Sequence, residues 1–197
     1  MKLCVFQGTF NPIHNAHLAM ANYVKTVYDY NTILFIPAYK PPHKEFDDTL
    51  ANHRYNMVKL AVGGESSFGI SNIEFQNERF SYTYLTILEL YKRYKIDGQI
   101  GFIIGFDAFR EIDDWYEADK LKKLVHFLVF ERETEIDRER LALLDFKGFK
   151  YTLVKMKPIE ISSTGVRRKL INRQSVGPMV PLSVLEYINE NKLYREE

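Results

Sequence analysis

Two histidines three residues apart, behind a glycine turn, are the residues of this sequence best suited to chemistry on phosphate. They close the stretch 8–17, which reads Gly-Thr-Phe-Asn-Pro-Ile-His-Asn-Ala-His. Backbone N–H groups of such a turn can approach an anion, and a helix that starts there adds a favourable potential. Histidine supplies a donor that is neutral or charged near pH 7. We therefore interpret His14 and His17 as donors that face a phosphate group.

Two other roles are open for this pair. A zinc site would need at least one more protein ligand, for which His43 is the only plausible further histidine and Cys4 the only cysteine. Both histidines could instead be buried structural side chains. The glycine, the threonine and the helix start beside them favour phosphate over either alternative, so we expect no metal held by protein ligands.

A second pattern that suits an anion follows residue 161. The residues 162–164, Ser-Ser-Thr, precede Gly165 and two arginines at the start of a predicted helix. Arg167 and Arg168 then lie in the first turns, where the helix dipole disfavours cations, and a glycine there costs about 1 kcal/mol relative to alanine. An anion docked at this end would account for both features. The alternative is an ordinary hydroxyl cap beside two solvated arginines.

The elements that must position these residues alternate between strands and helices. Apolar runs predict strands at 3–6, 33–36, 68–75, 99–105, 125–130 and 151–156. Helical patterns lie at 18–28, 52–61, 81–91, 120–123, 137–144, from 161 and at 181–191, and Ser81 is the expected N-cap of the third. This alternation predicts an α/β fold with a doubly wound parallel sheet, whose ligands bind at the carboxyl ends of the strands.

Composition narrows the class of protein. The 197 residues predict a single domain over 1–197, with a small helical C-terminal part from about residue 158. A net charge of +1 argues against nucleic acid as a partner. No apolar run approaches the ~20 residues that span a bilayer, and the N-terminus does not resemble a signal peptide. We expect a cytoplasmic protein with no membrane partner, and a homodimer stays open.

Further motifs occur along the chain, and each has a place in one known family. They are the Gly8 to His17 turn, Pro41-Pro42-His43-Lys44, Ser81-Tyr82-Thr83, Phe102 to Gly105 with Asp107, Trp115-Tyr116, Arg132, Ile161 to Thr164 with Arg167, Tyr187-Ile188 and Leu193-Tyr194. With them, the chain resembles the bacterial nicotinate-nucleotide adenylyltransferases over nearly its whole length. A paired-histidine turn alone fits several related transferases, whereas the Pro-Pro-His-Lys, Ser-Tyr-Thr and Trp-Tyr motifs together are more specific.

The resemblance implies a Rossmann-like nucleotidyltransferase fold and a reaction. The phosphate of nicotinate mononucleotide would attack the α-phosphate of ATP, giving deamido-NAD and pyrophosphate without a covalent enzyme intermediate. The Mg²⁺ would arrive on the ATP phosphates, which suits its reluctance to lose water. Catalysis would then come from positioning and from stabilisation of charge.

The resemblance also implies roles for individual residues. The catalytic set is His14, His17, Lys44 and Arg167. The ATP-binding set is Gly8, Thr9, Phe10, Gly105, Asp107, Ile161, Ser162, Ser163 and Thr164. The set that binds nicotinate mononucleotide is Thr83, Trp115, Tyr116 and Arg132. Taken singly, Thr83 could be only a helix cap, Trp115 a core aromatic residue and Arg132 a solvated charge.

Three positions depart from the family pattern. Asn11 stands where aspartate is common, which keeps an acceptor and loses a charge. Ala16 replaces the usual glycine between the histidines, and we expect it to fit if its position is helical, since a positive φ would crowd the loop. Ala38 lacks the polar contact of a frequent asparagine. We expect activity to be retained.

Two rival functions differ in kind. The same chemistry could serve another acceptor, with nicotinamide mononucleotide the nearest and phosphopantetheine or a small alcohol phosphate more distant. Because the amide lacks the charge that Thr83 would bind, we expect the acid to be preferred. The chain could also be a catalytically inactive nucleotide-binding module, since Asn11 and Ala16 both alter the turn. The loop 40–48 is a candidate lid.

Overall fold

A six-stranded parallel sheet, in the order β3-β2-β1-β4-β5-β6, forms the centre of the protein. The computed structural model describes residues 1–42, 48–76, 80–131 and 137–195. The strands are β1 Leu3–Gly8, β2 Thr32–Pro37, β3 Phe68–Ile70, β4 Ile100–Gly105, β5 Val125–Phe130 and β6 Tyr151–Val154. The order runs outward in both directions from the β1–β4 pair, which confirms the doubly wound sheet. In such sheets the ligand crevice lies at this reversal, outside the carboxyl ends of the strands.

In the part of the chain that the structure describes, eight α-helices connect or follow the strands. They are α1 Asn15–Tyr28, α2 Asp48–Val62, α3 Thr83–Arg93, α4 Phe106–Phe109, α5 Ala118–Leu121, α6 Arg138–Phe146, α7 Ser163–Ile171 and α8 Leu182–Glu190. Within the described ranges, no helix is both long and apolar enough to cross a membrane.

Two apolar layers cover the two faces of the sheet, because successive strand residues point to opposite sides. Cys4 and Phe6 of β1 pack in one layer, which also receives Val24 of α1 and Val184 of α8. Residues 3 and 5 of the same strand pack in the other layer with α3. The late helices α7 and α8 therefore share a core with the strand that leads into the histidine turn.

Three local predictions were wrong. The strand expected over 68–75 ends at residue 70, and a 3-10 helix follows at 73–76, where Ile73 and Glu74 are buried in succession. The N-cap of α3 is Tyr82 rather than Ser81, because the Ser81 hydroxyl is engaged elsewhere, accepting the Lys40 N–H at 3.1 Å. Helix α7 has only nine residues, so Arg168 lies in its last turn, where a cation is favourable.

Candidate active site

A cleft of about 890 Å³ lies at the point where the strand order reverses. Most of the residues predicted from the sequence line it. They are Gly8, Thr9, Phe10, His14, His17, Thr83, Gly105, Trp115, Tyr116, Ser162, Ser163, Thr164 and Arg167. We call residues 8–17 and 162–167 the phosphate side, and residues 81–83 and 115–116 the acceptor side.

The turn of the phosphate side is held by its carbonyl groups. Arg54 donates to the Thr9 carbonyl at 2.8 Å, and the Ser163 hydroxyl donates to the Pro12 carbonyl at 2.9 Å. In a trans peptide the following N–H points the opposite way, so the N–H groups of Phe10 and Ile13 turn away from these donors. The two hydrogen bonds therefore fix the backbone of the turn, whose residues Thr9 and Phe10 line the cleft.

Phe10 has a backbone conformation that bulky residues rarely adopt. Its φ is +48°, in the left-handed region, which costs about 1–3 kcal/mol for a residue with a side chain. Burial of its ring offsets that cost, since Phe10 is only 3% exposed and its ring centroid lies 5.1 Å from that of His17. The same ring explains Gly8, because a Cβ there would lie 3.2 Å from it.

The two histidines form a stacked pair at the N-terminus of α1. Their ring centroids are 3.6 Å apart with an interplanar angle of 17°. His14 is the N-cap, and its backbone N–H donates to His17 Nδ1 at 3.3 Å. An Nδ1 that accepts leaves the proton of a neutral ring on Nε2. His17 is thus arranged to donate from Nε2, at a helix end whose dipole favours an anion.

The second part of the phosphate side begins at a capped helix. Ser162 is the N-cap of α7, and its hydroxyl accepts the Gly165 N–H at 3.1 Å. A Cβ at residue 165 would lie 3.2 Å from that hydroxyl, so the cap itself accounts for the glycine. Arg167 reaches across to the turn, donating to the Asn11 carbonyl at 2.7 Å and to the Thr164 hydroxyl at 3.3 Å. The arginine is therefore fixed beside the turn.

The acceptor side is aromatic. Helix α3 begins at Thr83, directly after Tyr82, whose ring centroid lies 4.6 Å from that of Tyr116. Trp115 meets Phe102 of β4 edge-on, with centroids 6.3 Å apart. Tyr116 remains 48% exposed. A planar ring with a carboxylate fits these surfaces, since aromatic faces can stack on it and a helix N-terminus can meet its charge.

Two buried charged residues under the cleft were missed by the sequence analysis. Arg54 is 3% exposed and also donates to the carbonyls of Ala38, at 2.6 Å, and Tyr39, at 3.0 Å. Glu74 is 7% exposed and accepts the Tyr39 N–H at 3.3 Å. The segment that leads out of β2 is thus held from both sides. A lone arginine in a helix and a lone glutamate have no sequence signal that separates them from solvated charges.

Glu74 also connects the two sides of the cleft. Its carboxylate accepts from the Thr86 hydroxyl at 2.7 Å and from the Gln7 amide. Burial raises the pKa of Glu74, and hydrogen bonds from Ser81, Thr86 and the Tyr39 N–H partly offset that rise. Gln7 belongs to β1 and Thr86 to α3, so one carboxylate joins the strand before the histidine turn to the helix behind the acceptor side.

Two predicted site residues of the described ranges, Asp107 and Ile161, do not line the cleft, and two further ones lie outside those ranges. Lys44 and Arg132 lie outside the described residues, as does most of the loop proposed as a lid. Asp107 is exposed in the first turn of α4. Ile161 instead lines a neighbouring cavity of about 270 Å³, which shares Ser162 with the cleft.

No group of three or more histidine, cysteine, aspartate or glutamate side chains in residues 1–42, 48–76, 80–131 and 137–195 is placed to hold a metal ion. The phosphate side of the cleft instead carries hydroxyls, two imidazoles and a guanidinium. These are donors that suit phosphate oxygens.

Comparison with known proteins places the chain among nucleotidyltransferases. A family model described as cytidylyltransferase-like matches residues 5–169. A protein of Caldicellulosiruptor saccharolyticus, named a probable nicotinate-nucleotide adenylyltransferase, is 38% identical over 199 residues and is covered, like this chain, over 100% of its length. One from Staphylococcus epidermidis with the same name is 37% identical, with 100% of this chain and 98% of that protein covered.

The chain belongs to the nicotinate-nucleotide adenylyltransferase family. Its fold also matches the structure of Plasmodium falciparum nicotinic acid mononucleotide adenylyltransferase complexed with NaAD, with a TM-score of 0.79 at 21% identity over 98% of this chain and 97% of that one. The nucleotidyltransferase fold is confirmed by this match.

The structure explains two departures of this adenylyltransferase from its family pattern. Ala16 is the second residue of α1 and has no positive φ, so its methyl group fits, as expected for a helical position. Asn11 uses the acceptor that asparagine and aspartate share, since its Oδ1 accepts from the Tyr194 hydroxyl. Ala38, the third departure, contacts the turn through its main chain, since its N–H donates to the Gly8 carbonyl at 2.8 Å.

Proposed function

We propose that this adenylyltransferase transfers the adenylyl group of ATP to the phosphate of nicotinate mononucleotide, releasing pyrophosphate and deamido-NAD. One observation supports this assignment of substrates independently of family membership. A single cleft has fixed phosphate donors on one side, at His17 and Arg167, and an aromatic surface beside a helix N-terminus on the other, at Thr83 and Trp115. A triphosphate and a pyridine carboxylate need these two environments within reach of each other.

On the phosphate side, His14 and His17 bind the ATP phosphates and stabilise the charge that develops at the α-phosphate. Arg167, with the hydroxyls of Ser162 and Thr164, holds the β- and γ-phosphates that leave as pyrophosphate. Ser163 contributes its main-chain N–H, because its hydroxyl donates to the Pro12 carbonyl. Because these donors are fixed by the fold before substrate binds, they need little reorganisation in the transition state. The attacking phosphate is already an anion, so positioning in line with the leaving pyrophosphate is the main requirement.

On the acceptor side, Trp115 stacks on the pyridine ring, while Thr83 and the backbone at Tyr116 donate to its carboxylate. The main-chain N–H groups at the start of α3 add a favourable potential for that charge. An amide in place of the carboxylate would lose the charge, which is why the acid is the preferred substrate. Arg132 is assigned to the same mononucleotide, and Lys44 to the transferring phosphates.

The adenosine of ATP is assigned to two places, one for its ribose and one for its base. Gly105 and Asp107 line the adenosine site, following the family motif, and Asp107 accepts from a ribose hydroxyl. The neighbouring cavity provides an apolar place for the base, between Met20, Ile161 and the end of β5 at Phe130. The Mg²⁺ would arrive bound to the ATP phosphates and would neutralise part of their charge.

A pyrophosphate-release assay over a panel of phosphate acceptors tests the function. With Mg-ATP, nicotinate mononucleotide should give the highest kcat/KM, followed by nicotinamide mononucleotide, while phosphopantetheine should give no product. The Thr83→Val variant, which removes a hydroxyl at constant volume, should narrow the preference for the acid over the amide. No pyrophosphate from nicotinate mononucleotide would refute the proposal, and an equal or higher kcat/KM for the amide would refute its specificity.

A further inference from the structure

The C-terminal segment 191–195 reaches back to the histidine turn. The Tyr194 hydroxyl donates to Asn11 Oδ1, across 183 residues of sequence. Two residues of this segment have left-handed backbones, Lys192 with φ +52° and Tyr194 with φ +58°. Such angles are uncommon for residues with side chains. The segment thus adopts a costly conformation where it delivers one hydroxyl to the turn.

Asn11 connects that hydroxyl to the phosphate side. Its side chain accepts from Tyr194, and its main-chain carbonyl accepts from Arg167 at 2.7 Å. A displacement of the Asn11 backbone would therefore move the carbonyl that fixes the guanidinium. Tyr194 is not among the residues that line the cleft, whereas Asn11 and Arg167 are.

The bond has a defined direction. Burial raises the pKa of Tyr194 well above its ordinary value, so the hydroxyl keeps its proton and donates. It needs an acceptor at position 11, and asparagine or aspartate supplies one while an aliphatic side chain does not. This requirement accounts for the tolerance of Asn11 in place of aspartate.

We propose that Tyr194 is a positioning residue for adenylyl transfer, which holds Asn11 and through it the Arg167 guanidinium. The proposal rests on the function proposed above. Loss of the hydroxyl leaves the Asn11 oxygen without its donor and lets the turn relax. Small displacements of a group that stabilises the transition state lower kcat more than they affect substrates bound elsewhere.

The test is a set of double-mutant cycles built on Tyr194→Phe. Alone, this substitution should lower kcat about three- to tenfold, the range expected for one hydrogen bond, and leave KM for nicotinate mononucleotide unchanged. In an Asn11→Leu or Arg167→Ala background it should have no further effect on kcat. In an Asn11→Asp background, where an acceptor is retained, it should again lower kcat. If Asn11→Leu does not fold, Asn11→Ala serves the same purpose.

Tyr187→Phe is the matched control. Its hydroxyl lies in the same C-terminal part but bonds to His53, at 2.9 Å, and Asn56, at 3.0 Å, on α2. Its loss should lower the free energy of unfolding without lowering kcat. A purely structural role for Tyr194 predicts the same behaviour as this control.

The outcomes separate the two proposals. An unchanged kcat in Tyr194→Phe, or an equal effect in the Asn11→Leu background, would overturn the positioning role while pyrophosphate release by the wild type upholds the function. Should the wild type bind ATP without releasing pyrophosphate, the function would fail, and the same cycles measured as ATP affinity by calorimetry would decide the role of Tyr194.

Discussion

The two sides of the cleft are built differently. The phosphate side is a turn whose carbonyl groups at Thr9, Asn11 and Pro12 each accept a hydrogen bond from a distant residue. The acceptor side consists of ring contacts between neighbours, and its Tyr116 is 48% exposed. Hydrogen bonds fix direction as well as distance, whereas ring packing fixes distance and leaves some freedom of orientation.

This difference matches the demands of the two substrates' reacting parts. Charge that develops on a phosphate in the transition state is stabilised only by donors that already point at it. Recognition of a planar ring tolerates small displacements. We therefore expect substitutions on the phosphate side to act on kcat and those on the acceptor side to act on KM for the mononucleotide.

The largest effect should come from His17→Ala. It removes the donor that we propose for the reacting phosphates, so kcat should fall about 10²- to 10³-fold, with KM for nicotinate mononucleotide little changed. Steady-state kinetics with each substrate varied would measure both constants. His126→Ala is the matched control, since that ring bonds to Thr152 on a neighbouring strand. If His17→Ala had the same kcat as His126→Ala, the expected dependence of kcat on the phosphate side would be wrong.

The next effect should be on stability, from Arg54→Met. Three main-chain carbonyls would lose a buried donor, which should lower the free energy of unfolding by about 3 kcal/mol. Urea denaturation would measure the loss. The exposed Arg138 provides the control, because Arg138→Met should change stability by less than about 0.5 kcal/mol. Equal midpoints for the two variants would show that the turn does not depend on Arg54.

On the acceptor side, Trp115→Ala should raise KM for nicotinate mononucleotide about tenfold through loss of ring stacking. The KM for ATP should stay the same, because Trp115 lies on the other side of the cleft. Trp115→Phe keeps an aromatic face and should recover part of the affinity. A decrease in kcat without a change in either KM would contradict the division between the two sides.

The smallest effect concerns Glu74, which joins the two sides. Burial raises its pKa above the ordinary 4.5, so the folded protein binds this proton more readily than the unfolded chain does. The resulting stability is present at pH values below 4.5 and is lost as the pH rises through the raised pKa. Glu74→Gln should therefore lose less stability than the wild type between about pH 4 and 7.

Urea midpoints measured across that pH range test the prediction, with Glu186→Gln at an exposed position as the control. The control should follow the wild-type slope. If the stability of Glu74→Gln changed with pH as steeply as that of the wild type and of Glu186→Gln, the Glu74 carboxyl group would titrate in the folded protein as it does in the unfolded chain.

Much of the site could be predicted because local sequence encodes local structure. A short apolar strand, a glycine and a helical pattern together define a strand–turn–helix unit, which is why His14 and His17 were predicted at a helix N-terminus. The position of the hydroxyl residues 162–164 at the start of a helix, before Arg167, was predicted in the same way. The strand over 68–75 was wrong because alternation of apolar residues does not reveal that Ile73 and Glu74 are buried together in a helical turn.

The sequence by itself determined the order of most strands and helices along the chain, the parallel sheet and the edge of that sheet at which the cleft lies. Only the tertiary structure decided what holds that edge in place. Arg54 and Glu74 resemble ordinary surface residues along the chain, and the motif that contains Tyr194 does not reveal its partner. Each of the three bonds to a residue dozens to nearly two hundred positions away. Periodicity reports which face of an element is apolar, but a buried hydrogen bond depends on where two separate elements meet.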